Sequence, residues 1–194
     1  MARARKILIL NGHPDPSPER LGRALALAYA EGASAGGHDV RVTHIAELSF
    51  PILRSKAEFD GEAPDVIVKA QDDMRWAEHI VLVYPLWHGM LPAFLKAFLE
   101  QVFRAGFAMH VSETGWTPML KGKSARVVVT MGMPTLFYRF YFFAHSLAAL
   151  RRNILGFSGM APVRTTLYGM IETVSAETRA GWLEEMRALG RRAT

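Results

Sequence analysis

Three stretches of this sequence carry residue types that could do chemistry, and each begins where an apolar run stops. The first is Gly12-His13-Pro14-Asp15-Pro16-Ser17-Pro18, ahead of a helical pattern that opens near Arg20 and Leu21. Free amides in a helix's first turn, together with the helix dipole, favour an anion, and an imidazole or hydroxyl adds donors. His13, Ser17, Arg20 and Leu21 are therefore a candidate phosphate cradle. On residue type alone, Ser17 serves equally well as a helix cap and His13 as a solvated turn histidine. The second stretch, Pro85-Leu86-Trp87-His88-Gly89-Met90, is heavy in large rings and suits a flat ligand. Its competing reading is a loop that plugs a sheet end with its own Trp87. The third, Thr130-Met131-Gly132-Met133-Pro134, offers a hydroxyl and accessible backbone.

The elements that must position these loops are short apolar runs alternating with helical patterns. Lys6 to Asn11, Asp39 to Ile45, Ile80 to Tyr84, Ala125 to Thr130 and Pro162 to Tyr168 read as strands. An unbroken apolar run such as Ile80 to Tyr84 fits a strand covered on both faces of a parallel sheet. Helical spacing marks Leu21 to about Gly36, the segment that begins at Pro64, Leu91 to Val102, the aromatic Leu136 to Leu150, and Ala176 to Arg192. Ala46 to Ala63 reads as irregular, and Arg104 to Lys123 as a long connection. Strands alternating with helices predict a doubly wound α/β fold with a five-stranded parallel sheet, one domain over residues 1–194. The common strand order 2-1-3-4-5 opens a crevice between strands one and three, at their carboxyl ends. All three loops fall at that crevice. A phosphate cradled at a helix N-terminus, with a ring system on the other two loops, is the arrangement a flavin requires.

Composition removes other classes. There is no cysteine, so disulfides, thiolate metal sites and a cysteine nucleophile are excluded, and a reducing cytoplasm is compatible. No apolar run approaches the roughly 20 residues of a membrane span, and Ile7 to Leu10 is too short for a secretory signal core. The net charge of +5 is scattered, without a basic block interleaved with stacking aromatics, which argues against nucleic acid. The first loop is neither a P-loop nor a G-x-G-x-x-G fingerprint, and no nucleophile sits at a hydrolase elbow.

Several motifs recur in the same order as in a known family. Asn11-Gly12-His13-Pro14, Phe50-Pro51-Ile52, Pro85-Leu86-Trp87 and Leu91-Pro92-Ala93-Phe94-Leu95-Lys96 are followed by Val102-Phe103 with Gly106-Phe107-Ala108. Thr130-x-Gly132 and Asn153-Ile154-Leu155-Gly156-Phe157-x-Gly159 continue the series. Together they resemble the flavodoxin-like NAD(P)H:quinone oxidoreductases over nearly the whole chain. That resemblance implies bound FMN or FAD, NAD(P)H as hydride donor, ping-pong transfer to a quinone or nitroaromatic acceptor, and a cytoplasmic homodimer. It assigns His13 and Ser17 to the flavin phosphate side. Pro85, Leu86, Trp87, His88 and Gly89 fall beside the isoalloxazine, and Thr130, Met131, Gly132 and Met133 at its edge. Tyr138 and His145 fall near positions that stabilise charge during hydride transfer in some relatives, although a Tyr in so aromatic a segment also suits a core or an interface.

The chain also departs from that pattern. Pro18-Glu19-Arg20 stands where many relatives have Ser-Phe-Asn, Met131 and Met133 interrupt a Thr-Thr-Gly-Gly loop, and Met109 and Val111 replace aromatics that roof the substrate pocket. The aromatic segment and the long connection are the expected dimer surface. Rival readings within the same fold are an electron-carrier flavodoxin, a regulatory subunit of a potassium-efflux system, and a nitro- or azo-compound reductase. The contacts that decide between FMN and FAD would lie near Arg179.

Overall fold

The computed structural model describes residues 3–113 and 115–194. Met1 and Ala2 of the basic N-terminus, Thr114 in the long connection, and the side chain of Val111 lie outside the described residues. The chain runs β1 (Lys6–Asn11), α1 (Leu21–Ala35), β2 (Asp39–His44), α2 (Lys56–Asp60), α3 (Asp65–Trp76), β3 (His79–Pro85) and α4 (Ala93–Val102). It continues through β4 (Met109–Ser112), β5 (Gly115–Pro118), β6 (Ser124–Thr130), α5 (Thr135–Phe140) and α6 (His145–Ala149). A π-helical turn (Leu150–Gly156), β7 (Val163–Tyr168) and α7 (Ala176–Arg192) complete it.

Five strands form a parallel sheet in the order β2-β1-β3-β6-β7, the doubly wound topology expected from the alternation. The side-chain period of a strand sorts each apolar run between two layers. Leu8, Leu10 and Leu82 pack with Ile67, Met74 and Phe98 of α3 and α4. Ile7, Ile9, Val81 and Val83 pack with Leu25, Tyr29 and Met186 of α1 and α7. Every residue of β3 is buried, as its unbroken apolar run requires. Helices α1 and α7 meet backbone to backbone. A methyl group at Gly32 would stand 2.0 Å from the Arg187 carbonyl oxygen, and one at Gly190 2.2 Å from that of Tyr29.

Three segments differ from the expectation. The long connection contains an antiparallel hairpin, β4 with β5, where Trp116 and Thr117 favour a strand and Gly115 takes φ 142°. Ala46 to Ala63 is not wholly irregular: the short helix α2 forms there, its Ser55 hydroxyl accepting the Glu58 amide at 3.2 Å. Leu136 to Leu150 is not one helix. It breaks between α5 and α6, where Phe143 and Ala144 adopt left-handed φ of 51° and 47°. Consecutive aromatic side chains lose rotamer freedom against the preceding helical turn, and a run of them weakens helix continuity.

Candidate functional site

The three chemical loops converge at the carboxyl edge of the sheet, where the order reverses between β1 and β3. A cleft of about 430 Å³ opens there. Its walls include His13, Arg20 and Leu21 from the first loop, Pro85 and Trp87 from the second, and Thr130 from the third.

The first loop is held by its own side chains. The His13 amide donates to Asn11 Oδ1 at 3.3 Å, and the Asp15 amide donates to His13 Nδ1 at 3.0 Å. In the neutral ring the proton therefore sits on Nε2, which stays available as a donor. Burial, and then the Arg20 guanidinium, hold the His13 pKa below its ordinary value. Asp15 accepts the Ser17 amide at 2.8 Å and Arg20 Nε at 2.7 Å. The first of these contacts and then the second keep the Asp15 carboxyl below its usual range. The Ser17 hydroxyl accepts the Glu19 amide at 3.4 Å, the local turn alternative for that residue. At the start of α1 the cap residue Arg20 makes no side-chain cap bond, and the first turn holds no acidic residue. The Arg23 amide is taken by the Arg20 carbonyl at 2.9 Å, which leaves those of Leu21 and Gly22 for an anion.

The second loop is a tight reversal. Trp87 and Met90 exchange amide–carbonyl hydrogen bonds of 2.9 and 2.8 Å. The central residues His88 and Gly89 take φ of 49° and 75°, the pattern of a type I′ turn. His88 and Gly89 thus shape the turn, and Trp87 is presented half-exposed, 47 %, with its ring 5.9 Å from that of His13 and edge-on to it. The Leu86 amide donates to the Thr130 carbonyl at 2.8 Å, tying the second loop to the third. In the third loop the Met131 side chain is buried in the core, so neither it nor Trp87 fills the cleft. The carbonyls of Met131 and Met133 accept the amides of Ile171 and Met170 at 3.3 and 3.2 Å.

This last contact brings in a wall that the sequence reading named only through Arg179. Ile171, Glu172 and Arg179 line the cleft, and Arg179 Nη2 donates to the Ile171 carbonyl at 2.7 Å. Their signal was topological: the segment after β7 must emerge at the same sheet edge as the other loops. Asp15 was missed as well, although Asp-x-Ser ahead of a helix is a turn-forming spacing. With Asp15, Glu19 and Glu172 against Arg20 and Arg179, the side-chain charges of the cleft nearly balance. What the cleft offers an anion is therefore backbone amides rather than net charge.

Tyr138 and His145 do not line this cleft. Tyr138 is fully buried, with its hydroxyl 2.9 Å from Ser146 Oγ. His145 is exposed, its ring 5.6 Å from that of Phe143. Ser146 instead edges a second space of about 520 Å³ between α4 and the π-helical turn, walled by Met90, Leu91, Phe103, Met109 and Ile154. Among the described residues, no helix is long and apolar enough to cross a membrane.

Comparison with known proteins agrees with this geometry. Residues 5–189 match a family model described as a flavodoxin-like fold. An uncharacterized NAD(P)H oxidoreductase of Haemophilus influenzae is 29% identical over 182 residues, covering 91% of this chain and 90% of that one. An FMN-dependent NADH:quinone oxidoreductase of Colwellia psychrerythraea is 31% identical over 101 residues, 52% of this chain and 49% of its own. The solved NAD(P)H:quinone oxidoreductase of Methanothermobacter marburgensis superposes with a TM-score of 0.85 at 21% identity, over 99% of this chain and 100% of that one.

Proposed function

Since the chain belongs to this flavodoxin-like family, we propose that it is an FMN-dependent NAD(P)H:quinone oxidoreductase. The observation that carries the reading is the cleft itself. Uncapped first-turn amides of α1 stand on one side of it, and Pro85, Trp87 and Thr130 on the other. The residues fit the group. About 430 Å³ lies within the usual range for small-ligand sites, roughly 300–1,000 Å³. FMN is preferred to FAD because Glu172 and Arg179 wall the cleft and because a relative is named for FMN.

In this reading the Leu21 and Gly22 amides and the His13 Nε2 proton hold the phosphate. Arg20, bound to Asp15, braces the loop. Trp87 and Pro85 would support the ring system, and free backbone groups of Thr130 to Met133 would hydrogen-bond its edge. When bound, FMN would supply hydride-accepting chemistry, the donor NAD(P)H and a quinone acceptor being used in turn, as in a ping-pong turnover. Tyr138 holds Ser146 at the edge of the second space as a structural contact.

The homodimer implied by the resemblance would form over the apolar groove beside α4. Its rim carries the Lys96–Glu100 ion pair, so a two-fold contact can set opposite charges against each other. The test is spectroscopic. The purified protein should show a flavin absorbance band, lose it anaerobically on adding NADH or NADPH, and regain it with a soluble quinone. A chain that takes up no FMN on titration refutes the proposal.

A further inference from the structure

Asn11 ends β1 after four apolar residues. It is 2 % exposed, on the face of the sheet that Ile7 and Ile9 turn toward α1. A methyl group at Gly22, in the first turn of α1, would stand 3.8 Å from its Oδ1. Asn11 therefore lies close under the helix turn whose amides are assigned to the anion.

A buried carboxamide must satisfy both of its ends. Oδ1 accepts the His13 amide at 3.3 Å. Strands β1 and β2 pair in parallel with Asn11 opposite His44, and Nδ2 lies 3.2 Å from His44 Nδ1. Chemistry fixes both orientations. A main-chain N–H only donates, so the Asn11 atom facing His13 is the oxygen. The other end is then the NH2 donor, so His44 Nδ1 accepts and carries no proton. The link is made with His44 neutral, whereas a protonated ring would set donor against donor.

The charges around His44 agree with that state. Arg23 of α1 and Glu47, just after β2, act on it and pair with each other at 2.8 Å. Burial, and then Arg23, hold the His44 pKa below its ordinary value, with Glu47 acting against them. Arg23 also donates to the Pro16 carbonyl at 3.2 Å. The first loop is thus tied to the end of β2 at two points, through Asn11 and through Arg23.

We propose that Asn11 is a positioning residue for the cofactor phosphate, its carboxamide holding the His13 main chain against β2 through neutral His44. Without it the His13 amide loses its buried acceptor, and the loop is no longer fixed beside the first turn of α1. The inference rests on the FMN reading and adds to it two residues that do not line the cleft.

The test compares FMN with riboflavin, which has the ring system and lacks the phosphate, by flavin fluorescence titration. Asn11→Ala should raise the FMN dissociation constant about tenfold and change that of riboflavin by less than about twofold. His44→Ala should raise the FMN constant about threefold by itself and add nothing in the Asn11→Ala background, since both cut one link. His44 is only half-buried, so its variant keeps the test open should Asn11→Ala fail to fold. In the cofactor-free chain, the His13 amide resonance should shift as the His44 ring takes up its proton, a step that His44→Ala removes. Equal losses for FMN and riboflavin, additive losses in the double variant, or unchanged FMN affinity in well-folded Asn11→Ala overturn the proposal. So does a His13 amide indifferent to His44. A wild-type chain that takes up no FMN overturns the FMN reading itself, and this inference with it.

Discussion

The two ends of the sheet each carry a recess of similar size, and the more basic one is not the proposed FMN site. At the carboxyl edge, about 430 Å³ is walled by nearly balanced charges. At the amino edge, about 470 Å³ is lined by Arg3, Arg5, Arg164 and Arg192 with Glu78 as its acid. The difference follows from the parallel topology. Helices that follow strands begin at the carboxyl edge and finish at the amino edge. Unpaired N–H groups collect at one end and unpaired carbonyls at the other. Three donors at that edge reach main-chain oxygens at the end of α7 and just after it. Arg5 Nη1 donates to the Ala193 carbonyl at 3.2 Å, His38 Nε2 lies 3.1 Å from that of Arg191, and Arg126 Nε donates to a main-chain oxygen of Thr194 at 2.5 Å. Of the four arginines that line this recess, Arg5 bonds such an oxygen and Arg3 pairs with Glu78 at 2.7 Å, so part of the cluster's charge is already engaged.

The largest effect expected from this contrast is on cofactor affinity. Trp87→Ala should raise the FMN dissociation constant about 100-fold, as loss of a ring support of a few kcal/mol implies. Arg164→Ala and Arg192→Ala should leave it within about twofold. Fluorescence titration reads both, and the opposite ranking would place the anion at the wrong edge.

Acid stability separates the ends next. His79 is 1% exposed, and burial, then the Arg126 charge, lowers its pKa to about 3. The unfolded chain binds this proton near pH 6.5, and the folded chain does not until near pH 3. Stability should therefore fall as pH drops from about 6.5 toward 3, by up to about 1.4 kcal/mol per pH unit. His79→Gln should flatten that fall in urea midpoints between pH 6.5 and 4. His13→Gln should alter it far less, because His13 is only partly buried.

Arg20→Ala, which frees Asp15 beside the α1 amides, should weaken FMN binding about tenfold while leaving the unfolding midpoint nearly unchanged. The smallest effect belongs to neither recess. Tyr138→Phe removes one buried hydrogen bond to Ser146 and should cost about 1 kcal/mol in chemical denaturation, with kcat unchanged. A drop in kcat with an unaltered midpoint would instead give the hydroxyl a part in the reaction.

Local regularities made much of this legible. The strand bounds Lys6–Asn11 and the closing helix Ala176–Arg192 appear where the apolar periods put them, and the reversal at β1 and β3 followed from their order. The roles of single side chains were not legible in the same way. Met131 follows Thr130 in a loop expected at the ring edge, yet its side chain turns into the core. Ser17 and His88 are ligand-like by type, and each also shapes a turn of its loop.

What the sequence by itself determined is the alternation of elements and the edge at which the chemical loops emerge. Residue period and turn chemistry are properties of a few consecutive residues. Only the tertiary structure decided that residues after β7 wall the cleft and that the rings of Phe137, Phe140, Tyr141, Phe142 and Phe143 face outward while that of Tyr138 is buried. Each of those depends on which surfaces the sheet and its helices had already covered, a quantity summed over residues distant in the chain.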